Sequence, residues 1–280
     1  MGKIGFIDYY ISEWHANNYP KWFEMANQKL GTDFKLSYAW AEKDISPVDG
    51  VSTDEWCAKF GVERCGSIAE LCKKSDCIVI LAPSDPQTHL EYAKQALLFG
   101  KPTYIDKTFA PDFNTAKEIF EIAQRYNTPF FSTSALRYAS ELKIGDISSA
   151  VITGGGSNFN EYIIHTVEMA VVLLDAPVTK VKVENIGVQR ICRLVAENNV
   201  SAVIHYSPAN SFGVTAELKD GRNLKNQVSS EFFVELSSEI IRFFTTKKPP
   251  FNPAETLEVM RIRDALLKAE NYDGEWINLY

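Results

Sequence analysis

A doubly wound parallel α/β sheet followed by a smaller α+β domain, with a mainly antiparallel sheet, is the fold class this sequence predicts. Strand-like and helix-like hydrophobic periods alternate through the first half of the chain. After about residue 134 several strand-like runs follow one another without helices between them. A length of 280 residues suits two domains rather than one. The expected division is residues 1–133 and residues 134–280, with room for the C-terminal helix to pack back on the first domain.

The elements read in order as follows. Lys3 to Ile7, KIGFI, is short and apolar, as a buried strand requires. Trp14 to Leu30 is long enough for a crossover helix, and Phe34 to Ala41 is a second strand. Cys77 to Ala82, CIVILA, is a continuous apolar run of the kind a parallel strand shows when helices cover both its faces. Ser84-Asp85-Pro86 starts a helix with Leu90, Ala93 and Leu97 on one face, and Gly100 stops it. Pro102 to Asp106 is a strand. Ala116, Ile119, Phe120 and Ala123 mark the next helix, and Pro129 to Thr133 the next strand.

In the second half a helix runs from near Glu161 to Leu174. The runs Val178 to Val188, Ser201 to Tyr206 and Phe212 to Leu218 read as strands, the last followed by Asp220-Gly221, a hairpin-turn signal. The tail returns to helix, with Asn252 as cap, Pro253 at the first helical position and Glu255 three after the cap. Val259, Ile262, Leu266 and Ala269 form its apolar stripe.

Composition narrows the function classes. Lys and Arg number 29 against 36 Asp and Glu, a net charge of −7, which exerts no pull toward nucleic acid or an anionic membrane. The opening residues run straight into a strand, with no basic n-region and no long apolar segment, so a cytoplasmic, soluble protein is expected. The five cysteines are odd in number and include no C-x-x-C pair. They read as buried thiols in a reducing compartment, and the spacing of Cys65, Cys72 and Cys77 matches no zinc pattern. No metal is expected.

A doubly wound sheet binds nucleotides at the carboxyl ends of its strands, normally through a G-x-G-x-x-G turn after the first one. Here the turn should follow Ile7, yet the chain reads Asp8-Tyr9-Tyr10-Ile11-Ser12-Glu13. Tyr10 sets a large side chain where a pyrophosphate would press against backbone. Asp8 and Glu13 add negative charge where a helix N-terminus attracts phosphate. Other parts of such a site persist. Glu42, just past the second strand, stands where an acid would bond an adenosine ribose and favour NAD over NADP, and Pro83 closes the CIVILA strand near the place for a nicotinamide.

Several segments, taken in order, resemble the Gfo/Idh/MocA (glucose–fructose oxidoreductase/inositol dehydrogenase) family across nearly the whole chain. Ser75 to Ala110 resembles the family's central stretch, which ends in an E-K-P motif; here it stands as Asp106-Lys107-Thr108. Thr133 to Tyr138 is similar to the segment entering the second domain, with Arg137 at its usual arginine. Ile144 to Ile152 resembles the first strand of the substrate domain, and Pro253 to Leu279 the closing helix and strand. Against that family the chain is a divergent, short member with a degenerate glycine turn. The resemblance implies a Rossmann-like dinucleotide domain followed by a substrate and oligomerisation domain.

The resemblance also implies a catalytic set. An acidic residue four before a histidine is the family's helical pair, and Glu161 and His165 stand at that spacing, on one face of a helix whose polar side also carries Glu168. With Lys107 they would support hydride transfer between a nicotinamide and the carbinol carbon of a sugar, polyol or related cyclic alcohol. His165 would take the hydroxyl proton, Glu161 would stabilise its cation and Lys107 the developing alkoxide. Asp106 counts with the cofactor residues, and Arg137, Asn158 and Asn160 are candidate substrate contacts. The expected cofactor is NAD or NADP, and the expected partners are a small-molecule substrate and further copies of the chain in a dimer or tetramer. Two other readings stay open: a non-catalytic small-molecule-binding member that has lost its dinucleotide, and an acid–base enzyme that uses Lys107 and His165 without hydride transfer.

Overall fold

The computed structural model describes residues 2–279. They form two compact units, one of residues up to Thr133 with Phe233–Pro253, the other of Ser134–Phe232 with residues from Ala254 on.

In the first unit the chain runs β1 (Lys3–Tyr10), α1 (Trp14–Leu30), β2 (Lys35–Lys43), α2 (Thr53–Phe60), β3 (Glu63–Arg64), α3 (Ile68–Lys74) and β4 (Cys77–Ile80). It continues through α4 (His89–Ala96), β5 (Thr103–Ile105), α5 (Phe113–Arg125) and β6 (Phe130–Phe131). The six strands are parallel in the order β3-β2-β1-β4-β5-β6, the doubly wound arrangement that the alternation predicts. β1 and β4 are buried at the centre because helices cover both faces. Gly5 is fixed by that packing: a Cβ there would meet Ser75 Oγ at 2.4 Å and Leu71 Cδ2 at 2.6 Å. α2 and α3 escape detection by periodicity because each is about two turns long. They are set instead by their caps, the reciprocal Ser52–Glu55 box and the Ser67 hydroxyl on Glu70 N–H.

The second unit opens with β7 (Ile147–Gly154) and α6 (Phe159–Leu174), followed by β8 (Val178–Ile186), β9 (Gln189–Ala196), β10 (Ser201–Tyr206), β11 (Gly213–Leu218) and β12 (Asn223–Gln227). The expected run Val178 to Val188 is β8 with the turn that follows it, and β9, unassigned from the sequence alone, pairs back on β8. Gly187, at φ +60°, makes that turn. The chain next gives the first unit one more helix, α7 (Phe232–Thr246). α8 (Ala254–Ala269) and β13 (Trp276–Asn278) then complete the second unit. Its seven strands follow the order β12-β11-β7-β10-β9-β8-β13 and are antiparallel except for β7 with β10. α6 and α8 cover the face that buries Ile152, Ile204, Leu194 and Val181, leaving Val151, Val203 and Ile191 on the other.

The segment that returns to the first unit is therefore 233–253, whereas α8 stays with the second. α7 is amphipathic, with Val234, Leu236, Ile240, Ile241, Phe243 and Phe244 buried and Glu235, Glu239, Arg242 and Thr246 along the other side, a period unassigned from the sequence alone. Its aromatics lock into the first unit. Phe233 stacks on Trp22 at 4.4 Å and 8°, and Phe243 meets Phe131 edge-on at 5.0 Å. Phe243 is 1% exposed. Phe243→Ala is expected to destabilise the chain by about 3–5 kcal/mol, read by urea unfolding, because it removes a buried ring that packs on Phe131 and Phe244.

Candidate functional site

The carboxyl ends of the central strands hold a buried group of acids. Asp8, in β1, is 1% exposed; its Oδ1 accepts from Tyr9 N–H at 2.7 Å and Ala82 N–H at 3.0 Å. Oδ2 has no hydrogen-bond partner among the described residues. Burial, followed by the neighbouring Glu13, pushes the Asp8 carboxyl well above the usual range. Glu13 is the N-cap of α1 and its carboxylate accepts from the N–H groups of His15, at 2.7 Å, and Ala16. Burial raises Glu13 as well, with His15 and the two helix N–H groups pulling the other way.

Asp106 directly follows β5 and completes the group. Its carboxylate pairs with His15 Nδ1 and accepts from the Tyr104 hydroxyl at 2.9 Å and the Tyr19 hydroxyl at 3.5 Å. Burial alone would raise Asp106, but His15, Lys107 and the Tyr104 hydroxyl together hold it below the usual carboxylate range. Sequence reasoning missed His15, whose one available signal was its place in the first turn of the helix after β1. Lys107 is half-buried at the strand end, and the Lys107–Thr108 peptide is cis. Glu42, near the end of β2, accepts from the Tyr92 hydroxyl at 2.9 Å. Tyr10 lies at the end of β1 with its ring 6.0 Å from that of Tyr9, and Pro83 is buried just beyond β4. The structure thus brings Asp8, Glu13 and Asp106 together and sets Glu42 apart on Tyr92.

The second unit carries the other expected residues. Asn158 caps α6, its Oδ1 accepting from Glu161 N–H at 2.8 Å and its Nδ2 donating to Glu161 Oε2 at 3.1 Å. His165, one turn on, holds Ser134 Oγ at 2.7 Å through Nδ1 and sits between the rings of Tyr162 and Phe212. Glu168 is not on a polar face, as the helical period had implied. It is 3% exposed and takes the Arg137 Nε donor at 2.5 Å, while Arg137 Nη1 reaches Glu255 at 2.8 Å. A buried carboxylate needs such a partner, and Arg137 thereby ties α6 to α8. Asn160 accepts from Arg263 through both its backbone carbonyl and Oδ1. The five cysteines are free and buried, and burial pushes Cys57 and Cys65 up to about 11 and Cys72 to about 12, so all three stay thiols at neutral pH. Among the described residues no three His, Cys, Asp or Glu side chains gather as metal ligands, and no helix is long and apolar enough to cross a membrane.

A nicotinamide dinucleotide fits these residues at its ribose end, where Glu42 offers a carboxylate at the end of β2. At the head of α1 the His15 and Ala16 N–H groups, of the kind that hold a pyrophosphate, are bonded to Glu13. The raised Asp8 carboxyl has a consequence for stability. The unfolded chain ionises it in the ordinary carboxylate range and the folded chain resists, so folding loses stability as pH rises from there toward the folded value. Asp8→Asn is expected to raise the melting temperature at pH 7, with the gain vanishing as the pH falls to about 4.

Residues 44–134 match the family model described as the Gfo/Idh/MocA oxidoreductase family, NAD-binding Rossmann fold. Among curated proteins no sequence matches. By structure the chain is similar to an NAD binding oxidoreductase from Klebsiella pneumoniae, 14% identical, with a TM-score of 0.78 over 99% of each chain. It is similar also to myo-inositol dehydrogenase from Lactobacillus casei, solved with NAD(H) and myo-inositol, 12% identical, TM-score 0.79, over 99% of this chain and 96% of that one. A third likeness is to an oxidoreductase from Agrobacterium radiobacter in complex with NAD+, L-tartaric acid and magnesium, 13% identical, TM-score 0.77, over 99% and 98%. Such identities speak for the fold alone. The chain therefore has the fold of these oxidoreductases throughout, and its residues 44–134 match the NAD-binding Rossmann model of the Gfo/Idh/MocA family.

Proposed function

We propose that the chain is an NAD(P)-dependent dehydrogenase acting on the CH–OH group of a sugar, polyol or related cyclic alcohol. The observation that carries this reading is Lys107. It directly follows β5 at the carboxyl end of the parallel sheet, inside the segment that matches the family model. The nicotinamide, when bound, supplies the hydride acceptor. The Lys107 ammonium donates to the substrate hydroxyl and stabilises alkoxide character as the C–H bond breaks. His165, its Nδ1 steadied by Ser134, takes the hydroxyl proton, and Glu161 at the preceding turn of α6 stabilises the imidazolium. Asn158, Asn160 and Arg137 supply polar contacts around the substrate. The likeness to proteins solved with myo-inositol and L-tartaric acid supports a polyhydroxylated substrate.

One observation favours a second reading, a small-molecule-binding protein without a dinucleotide: Glu13 fills the helix end where phosphate would lie. Titration with NADH, NADPH, NAD and NADP, by calorimetry and nicotinamide fluorescence, separates the two. Micromolar NADH binding, weakened about tenfold in Glu42→Ala, is expected for the dehydrogenase. Polyol turnover should then fall about 10²- to 10⁴-fold in Lys107→Met and in His165→Ala. No binding of any of the four at millimolar concentration leaves only the second reading.

We further propose a cytoplasmic homo-oligomer, in keeping with the five free thiols. The face of the second sheet opposite α6 and α8 presents Val151, 43% exposed, with Val203 and Ile191 on adjacent strands. A second copy covering that face removes this apolar surface from water. Val151→Glu with Val203→Glu is expected to lower the mass seen by light scattering to that of one chain. An unchanged mass would reject this face as the contact.

A further inference from the structure

At the head of α1, two backbone N–H groups that a glycine turn would leave open to a phosphate are already bonded to a carboxylate of the same chain. Glu13 accepts from His15 N–H and from Ala16 N–H. On a surface helix this would be a cap and nothing more. Two features set it apart. Glu13 is 7% exposed, so its charge stands where little water screens it. Beside it Asp8 is wholly buried, and among the described residues Asp8 Oδ2 meets no partner. A buried polar atom left unpaired is costly, and a polar group of a ligand arriving at the strand ends would satisfy it.

We propose that Glu13 is a built-in anion in the phosphate seat of α1 and a specificity determinant: the sheet accepts nucleotides whose phosphates lie off α1 and whose polar groups reach Asp8. This rests on the dehydrogenase reading only in taking a nicotinamide dinucleotide as the ligand. Coulomb repulsion from Glu13, reinforced by Asp106 nearby, disfavours a pyrophosphate at the helix head, and the cap removes the N–H groups that would repay it.

The test titrates NADH by calorimetry into the full chain, as wild type, Glu13→Gln and Glu13→Ala, and records each melting temperature. Both variants are expected to bind NADH about tenfold tighter than wild type, while Glu13→Ala melts lower for want of its cap. Affinity and stability would then move in opposite directions. A plain cap moves stability alone, so variants that bind NADH no tighter than wild type would overturn the inference and leave the dehydrogenase reading standing. Variants that bind where wild type does not would uphold the inference and end the dehydrogenase reading. Binding by none of the three at millimolar concentration ends both. Should Glu13→Ala fail to fold, Glu13→Gln keeps an acceptor oxygen for the cap and decides the matter alone.

Discussion

Three carboxylates crowd the water-poor ends of the central strands, and each must be reconciled with burial in its own way. Asp106 stays charged because the His15 imidazole and the hydroxyls of Tyr104 and Tyr19 surround it. Glu13 draws on the open N–H groups and positive end of α1. Asp8 is pushed well above the usual carboxylate range by its burial. These solutions interlock. Removing His15 would leave Asp106 a lone buried charge, and moving α1 would release Glu13. The entry of α1, and with it the packing of Tyr19 and Phe23 against Phe6, therefore follows from how the acids are settled.

The second unit meets a comparable demand with one arginine. Arg137 faces Glu168 on α6 and Glu255 on α8, so two helices on one sheet are held at their contact by a shared, mostly buried cation. A buried ion pair of this kind adds little net stability over an apolar contact, but breaking one side of it is costly. It fixes the register of α6 and so the position of His165, which lies one turn before Glu168 and hydrogen-bonds Ser134. Ser134 N–H in turn donates to Glu168 at 3.4 Å, joining the two arrangements.

The sheet of the first unit was legible because its strands are short apolar runs separated by helices, and CIVILA admits no other easy reading. What escaped was whatever was too short to show a period, carried one that was left unread, or depended on distant partners. α2 and α3 are too short, whereas α7 shows the polar stripe Glu235, Glu239, Arg242 and Thr246 and β9 buries Cys192, Leu194 and Ala196 in alternation. In the site, Glu13, Glu42 and Lys107 could be placed because each has a fixed offset from a strand end. The pairing of His15 with Asp106 spans 91 positions and leaves no local trace. Glu168 looked solvated for the same reason, since its partner Arg137 lies 31 positions away.

The excursion of the chain into its second unit and back governs the order in which the protein can be made. β6 is complete by Phe131, yet the ring that packs on it, Phe243, comes 112 residues later, and Phe233 follows Trp22 by 211. On a ribosome adding about 5–20 residues per second, the first unit waits several seconds with part of its aromatic core facing water. The second unit is likewise unfinished until α8 and β13 emerge. Neither unit can close before the other is largely synthesised, so the two mature together near the end of translation, and a fragment ending at Thr133 would be a sheet without its last helix.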